Sequence, residues 1–196
     1  MMHLVLEDLQ LEDINKFKFS FCMKIINQIE ALEKLEIGEP IIFQTDTLPA
    51  IGCKPEYSEV IYKVKKRDKN KPLILMGSQI KDVLDYVEND AKYDFQKIAE
   101  KFWPGPLTII IPTRKSKSLN FITSENTLGI RIPDSITARS LILETGPLAT
   151  SSANVSGIDT SFDADSVSHD LPEVDILGPI PWHKCSGLGS TIISWA

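Results

Sequence analysis

Positive charge in this chain is concentrated in one place. Between Lys63 and Lys71 six basic side chains and one acidic one occupy nine residues, in a 196-residue chain of formal charge −6. Like charges packed this closely repel one another, so the stretch costs stability unless an anion or acidic neighbours offset it. A phosphate ligand is one such anion; a solvated basic turn is the plain alternative. Lys65 and Arg67 stand two positions apart, on one side of an extended segment but about 200° apart on a helix of 3.6 residues per turn. Both can grip one ligand only where the helix has ended.

Two polar segments fall at the ends of predicted strands, where ligands of open α/β sheets gather. They are Thr45-Asp46-Thr47 and Thr150-Ser151-Ser152-Ala153-Asn154. Their hydroxyls and amide supply donors and acceptors at short reach, which suits a small substrate carrying an amine, a carboxylate and phosphates. Asx turns, ST turns and helix caps use the same residue types. Arg131 interrupts the apolar strand Leu128 to Ile132, where a buried guanidinium needs an anion. That anion is either a ligand carboxylate or one of the chain's own 27 acidic residues. Trp103-Pro104-Gly105-Pro106 forms a rigid turn that presents Thr108, with the indole in the core.

Several familiar devices are missing. There is no GxxxxGK[ST] phosphate loop, no GxGxxG after a strand and no HExxH. His3, His169 and His183 lie towards the ends, which gives a Ser/His/Asp triad no support. Cys22, Cys53 and Cys185 are far apart with no CxxC, so neither zinc nor a disulfide framework is indicated, no metal ligand is assigned, and a reducing cytoplasm fits. The net negative charge argues against coating nucleic acid by bulk charge. No apolar run approaches the ~18 residues of a membrane span, and Met1 to Asp13, with four acids and no Lys or Arg, has the wrong charge for a signal peptide.

Positioning these groups requires strands and helices in alternation. Residues 1–22 differ in character from the remainder and are expected to be an N-terminal extension to a single domain over 23–196. From Lys24, the spacing of Ile25, Ile29, Leu32 and Leu35 predicts an amphipathic helix that stops at Gly38. Strands are expected at Ile41–Phe43, Leu73–Met76, Leu107–Ile111, Leu128–Ile132, Leu148–Ser151, Val174–Leu177 and Thr191–Trp195. Helices are expected after caps at Ser58 and Ser78, through Phe95 to Phe102, after Ser135, and near Asp163 to Ser168. The order predicts an α/β (α+β) domain with one mixed sheet.

Five motifs then occur in one order: Ile42-Phe43-Gln44-Thr45-Asp46-Thr47; Lys65-Lys66-Arg67 with Lys71-Pro72-Leu73; Trp103-Pro104-Gly105-Pro106-Leu107-Thr108; Arg131-Ile132-Pro133-Asp134; and Pro147-Leu148 with Thr150 to Gly157. This order resembles the YrdC-like family, the threonylcarbamoyl-AMP synthases that start threonylcarbamoyladenosine formation in tRNA, over residues 24–195 and in their short, single-domain form. The resemblance implies a twisted mixed β-sheet flanked by helices, with a concave, positively charged cavity for ATP and L-threonine. It implies a reaction that joins threonine, bicarbonate or CO2 and ATP into threonylcarbamoyl-adenylate and pyrophosphate, with Mg2+ held through the nucleotide. By the same resemblance Lys65 and Arg67 correspond to the catalytic Lys-x-Arg signature, expected to neutralise the triphosphate. Ser152 and Asn154 correspond to Ser-x-Asn, and Thr45, Thr47, Thr108, Arg131, Ser151 and Ser190 to cavity-lining groups. Implied partners are tRNA or double-stranded RNA and a downstream threonylcarbamoyl-transferase complex. The competing class is a non-catalytic double-stranded RNA-binding module using the Lys63 to Lys71 surface. Where the family pattern is Thr-Val-Tyr-Gly-Leu, this chain has Thr47-Leu48-Pro49-Ala50-Ile51.

Overall fold

The computed structural model describes residues 24–113 and 126–195. The expected extension and its boundary at residue 22 lie outside the described residues. The strands are β1 (Ile25–Ile26), β2 (Ile41–Phe43), β3 (Ala50–Cys53), β4 (Ile74–Met76), β5 (Leu107–Pro112), β6 (Thr127–Arg131), β7 (Leu148–Ser152), β8 (Asp175–Leu177) and β9 (Thr191–Ser194). The α-helices are α1 (Gln28–Glu36), α2 (Glu59–Val64), α3 (Ile80–Val83), α4 (Lys92–Phe102), α5 (Ile136–Thr145) and α6 (Ala164–Asp170). The described strands form one sheet in the order β1-β8-β2-β3-β7-β4-β6-β5-β9, with parallel and antiparallel neighbours. The expected mixed sheet flanked by helices is therefore the observed architecture.

Alternation along the strands gives the sheet two unlike faces. Leu75, Ile109, Ile111, Leu128, Ile130 and Ala149 are buried and belong to one hydrophobic core with Leu35, Phe95, Ala99, Leu141 and Ile142 of the helices. The residues between them, Ile74, Thr108, Ile110, Gly129 and Thr150, face a cavity. Trp103 is a core residue as expected: its ring meets Phe95 edge-on at 5.5 Å, and its Nε1 donates to the Leu107 carbonyl at 2.7 Å.

Local expectations fail where capping or pairing overrides periodicity. The helix expected from Lys24 starts at Gln28, because Asn27 and Glu30 form a capping box: the Asn27 side chain accepts from the Glu30 amide at 3.1 Å and the Glu30 carboxylate from the Asn27 amide at 2.9 Å. Ile25 and Ile26 instead pair in parallel with Ile176 and Leu177. Strand β3 has no counterpart in the sequence expectations, since Ala-Ile-Gly-Cys offers neither alternation nor a β-branched run; it is wholly buried between β2 and β7. The helix after Ser78 shortens to α3 and continues as a 3-10 turn, Leu84–Tyr86. Ser58 makes no side-chain cap, and its buried hydroxyl finds no partner among the described residues.

Candidate functional site

The basic stretch begins as a helix and ends as a turn. Helix α2 closes in a Schellman motif: the Lys66 amide donates to the Lys63 carbonyl at 3.2 Å and the Arg67 amide to Tyr62 at 2.9 Å, with Lys66 left-handed at φ 50°. That single residue breaks the helical phase between Lys65 and Arg67, so the helix has ended where the two could act together. Their heads nonetheless go to different places. Lys65 is 1% exposed, and its Nζ donates to the Ser152 carbonyl and, at 3.1 Å, to Asn154 Oδ1. Burial, and secondarily the charge of Arg67, pull its pKa down to about 7. Arg67 is half-buried in the cavity wall, where Nε donates to the Lys71 carbonyl at 3.2 Å and Nη2 to Pro72 at 3.0 Å. Burial lowers its pKa too, although a guanidinium keeps its proton. Neither cation faces a carboxylate among the described residues.

The cavity encloses about 580 Å³ over the sheet face described above. Its floor carries Thr150 and Ser152 of β7, Ile74 and Met76 of β4, Thr127, Gly129 and Arg131 of β6, Thr108 and Ile110 of β5, and Ile192 of β9. One wall is Thr47-Leu48-Pro49 running into β3, another is Arg67 with Pro72 and Leu73, and a third is Gly189-Ser190 before β9. The expected site residues Thr47, Arg67, Thr108, Arg131, Ser151, Ser152 and Ser190 all line it. Thr45, Lys65 and Asn154 stand behind that lining and support it.

Of the two anions its sequence position left open, Arg131 meets one of the chain's own acids while it lines the cavity. It lines the cavity but is 3% exposed, and its charge is matched by Asp46, Nη2 lying 2.5 Å from Oδ1. Nη1 donates to Thr47 Oγ1 at 2.7 Å and Nε to the Gly105 carbonyl at 3.1 Å. Desolvation lowers its pKa and Asp46 opposes that shift. Thr45 completes the turn: its hydroxyl donates to the Leu48 carbonyl at 2.6 Å and accepts from the Thr47 amide at 3.2 Å. On the opposite wall the Thr108 and Ser190 hydroxyls meet at 2.7 Å.

The Ser-x-Asn segment is held as a unit. Asn154 Oδ1 accepts from Ser152 Oγ at 2.6 Å as well as from Lys65, while Nδ2 donates to the carbonyls of Val155 and Ile158. The Ser156 amide donates to the Lys65 carbonyl at 2.9 Å. A second tie crosses to the segment before β9: the Ser186 and Gly187 amides donate to the carbonyls of Asp46 and Thr47 at 3.0 and 3.1 Å. Sequence reasoning missed Asp46 as the partner of Arg131, and Thr127, Gly129, Met76 and Ile110 as floor. The signal for the floor was present as small or polar residues at alternate positions of β6 and β7, Thr127, Gly129 and Arg131 on the one and Thr150 and Ser152 on the other.

The family profile described as telomere recombination, that of Sua5, YciO and YrdC, matches residues 33–196. The chain belongs to the Sua5/YciO/YrdC family. Among its relatives in that family, threonylcarbamoyl-AMP synthase of Bacillus subtilis is 33% identical over 173 residues, covering 85% of this chain and 49% of that protein. Threonylcarbamoyl-AMP synthase of Aliivibrio fischeri is 27% identical over 161 residues, covering 79% of this chain and 85% of that one. The chain thus spans about half the length of the B. subtilis relative and most of the A. fischeri one. The fold of the Sua5/YciO/YrdC family is shared in the solved structures: P. abyssi Sua5, crystallised with L-threonine, superposes with a TM-score of 0.78 at 24% identity, over 87% of this chain and 54% of that chain.

Proposed function

We propose that this chain is a threonylcarbamoyl-AMP synthase, joining L-threonine, bicarbonate or CO2 and ATP into threonylcarbamoyl-adenylate with release of pyrophosphate, the activated donor for tRNA modification. The observation that carries the reading is the Arg67 guanidinium, fixed in the wall of a hydroxyl-lined cavity by two backbone carbonyls and facing no carboxylate among the described residues. Such a cation is pre-aimed at an anion. The activity named for the relatives and the L-threonine held by the P. abyssi protein support the same choice.

The chemistry follows from the layout. N-carboxylated threonine attacks the α-phosphorus of ATP, a phosphorus–oxygen bond forms to the carbamate, and pyrophosphate leaves with the electron pair. Negative charge grows on phosphate oxygens, and donors already fixed there lower the barrier without reorganising. In this reading Arg67 and the Ser151 and Ser152 hydroxyls meet the phosphates, with charge-assisted bonds worth about 1.5–3 kcal/mol each. Lys65 acts on them through Ser152 and Asn154, as a positioning residue. Thr47, Thr108, Arg131 and Ser190 meet the amino acid. Mg2+ enters with the nucleotide, since the wall offers hydroxyls and guanidinium groups and Asp46 already faces Arg131.

A binding module built on the basic stretch would need its charges on one surface. Here Lys65 is buried, Arg67 turns to the cavity and Lys69 pairs with Glu59 at 2.9 Å. The deciding experiment is pyrophosphate release by the purified chain, with mass-spectrometric detection of the adenylate. Turnover that requires both threonine and bicarbonate supports the synthase; ATP turnover indifferent to both refutes it.

A further inference from the structure

Gly129 sits in the middle of the cavity floor. Its cross-strand partners on β6 are Ile74 of β4 and Ile110 of β5. Glycine inside a strand costs stability relative to alanine, so it calls for a reason. At seven of the other nine glycines the fold supplies one. An added Cβ would lie 2.9 Å from the Phe43 ring at Gly52, 2.6 Å from Val83 at Gly77 and 2.6 Å from the Phe102 carbonyl at Gly105. Gly38, Gly146, Gly157 and Gly187 have positive φ. Gly129 has neither a left-handed backbone nor a crowded Cβ position. A Cβ there would stand 3.5 Å from Thr108 Cγ2 and 3.6 Å from Ile74 Cγ1, which is ordinary van der Waals contact. What a side chain at position 129 would take is cavity volume.

We propose that Gly129 is a specificity-determining residue: its bare Cα floors an apolar slot between Ile74 and Ile110 that takes the methyl group of a β-branched hydroxy amino acid. The proposal rests on the synthase reading for the identity of the bound amino acid. Adjacent strands lie about 4.8 Å apart, so the two isoleucine backbones are separated by about 9.6 Å, and their side chains leave room for one small aliphatic group. Residues on the same face recur every ~6.7 Å along a strand, which puts Arg131 one step from Gly129. An amino acid whose polar groups meet Arg131, Thr108 and Ser190 therefore reaches the slot with its side chain, and Arg67 with the serine hydroxyls of β7 is left for phosphate. The branch point separates the two recognitions, hydroxyl to the Thr108–Ser190 pair and methyl to the slot.

The test compares the full chain with Gly129→Ala, which removes slot volume and leaves the fold's contacts in place. Steady-state pyrophosphate release is measured with threonine, serine and ATP varied in turn, and amino-acid affinity by calorimetry without ATP. The wild type should favour threonine over serine by about tenfold, the discrimination one apolar carbon supports. In Gly129→Ala the KM and Kd for threonine should rise about tenfold, those for serine and the KM for ATP should stay within twofold, and the Tm should not fall. Equal weakening of threonine and serine, or a rise confined to ATP, overturns the proposal. Failure of the synthase reading looks different: no pyrophosphate with any amino acid. With the calorimetric threonine–serine pattern intact, the slot then stands as an amino-acid site; with no amino-acid binding, both fall.

Discussion

At the scale of single residues, the site separates cations that can meet a ligand from those that serve the protein. Arg67 is the less buried member of the pair and lines the cavity, so Arg67→Gln should cut kcat/KM for ATP by about 10–200-fold, the loss of one charge-assisted bond of about 1.5–3 kcal/mol, while the melting temperature stays within a degree or two. Steady-state kinetics beside thermal melts will check it. Lys65 is predicted to reveal itself through pH. Its pKa falls from 10.5 in the unfolded chain to about 7 when folded. Below pH 7 the lysine is charged in both states and burial costs its full penalty. Between pH 7 and 10.5 the unfolded chain binds more protons, so stability contributed at this site rises with pH. Urea unfolding of the wild type and Lys65→Met across pH 7–10 should show the wild type gaining on the variant as pH increases; a constant difference contradicts it. Asp46→Asn removes the charge opposite a buried guanidinium and should destabilise by about 3 kcal/mol, measured by the same unfolding.

At the scale of elements, the loop joining α2 to β4 carries a local backbone cost. Lys66 holds a left-handed conformation that glycine adopts freely, because the Schellman closure needs a reversal at that position. Lys66→Gly should raise stability by about 0.5–1 kcal/mol and leave threonine-dependent turnover unchanged. A fall in stability would mean that the Lys66 side chain, not only its backbone, supports the turn. Much at this level was legible from the chain. Ser135 and Asp163 cap α5 and α6 where helices were expected, whereas the Asn27 cap of α1 was missed and displaces a helix start that hydrophobic spacing put at Lys24. Strand β3 was not legible, because a strand buried on both faces need not alternate, and Ala50–Cys53 is too short to declare itself otherwise.

At the scale of the whole molecule, the cavity is assembled from six strands and three connecting segments, so ligand binding should brace parts far apart in sequence. ATP or threonine alone, at a hundredfold excess over its Kd, should raise the melting temperature by about 5–10 °C and the two together by about 10–20 °C, since each contributes about 2.7 kcal/mol of linkage and each kcal/mol is worth about 2–4 °C at this size. Differential scanning calorimetry with either ligand alone and with both will measure it. The amino-acid sequence by itself determined the charge cluster, the polar strand ends, most of the strands and helices and the family, because apolar runs, turns and motif order are local properties of a chain. It did not determine who faces whom. Lys65 and Arg67 are neighbours in sequence yet part at one left-handed residue. Arg131 meets Asp46 across 85 positions, and the floor under Gly129 exists only because β7, β4, β6 and β5 lie side by side. Those pairings are long-range hydrogen-bonded choices among strands, and only the tertiary structure makes them.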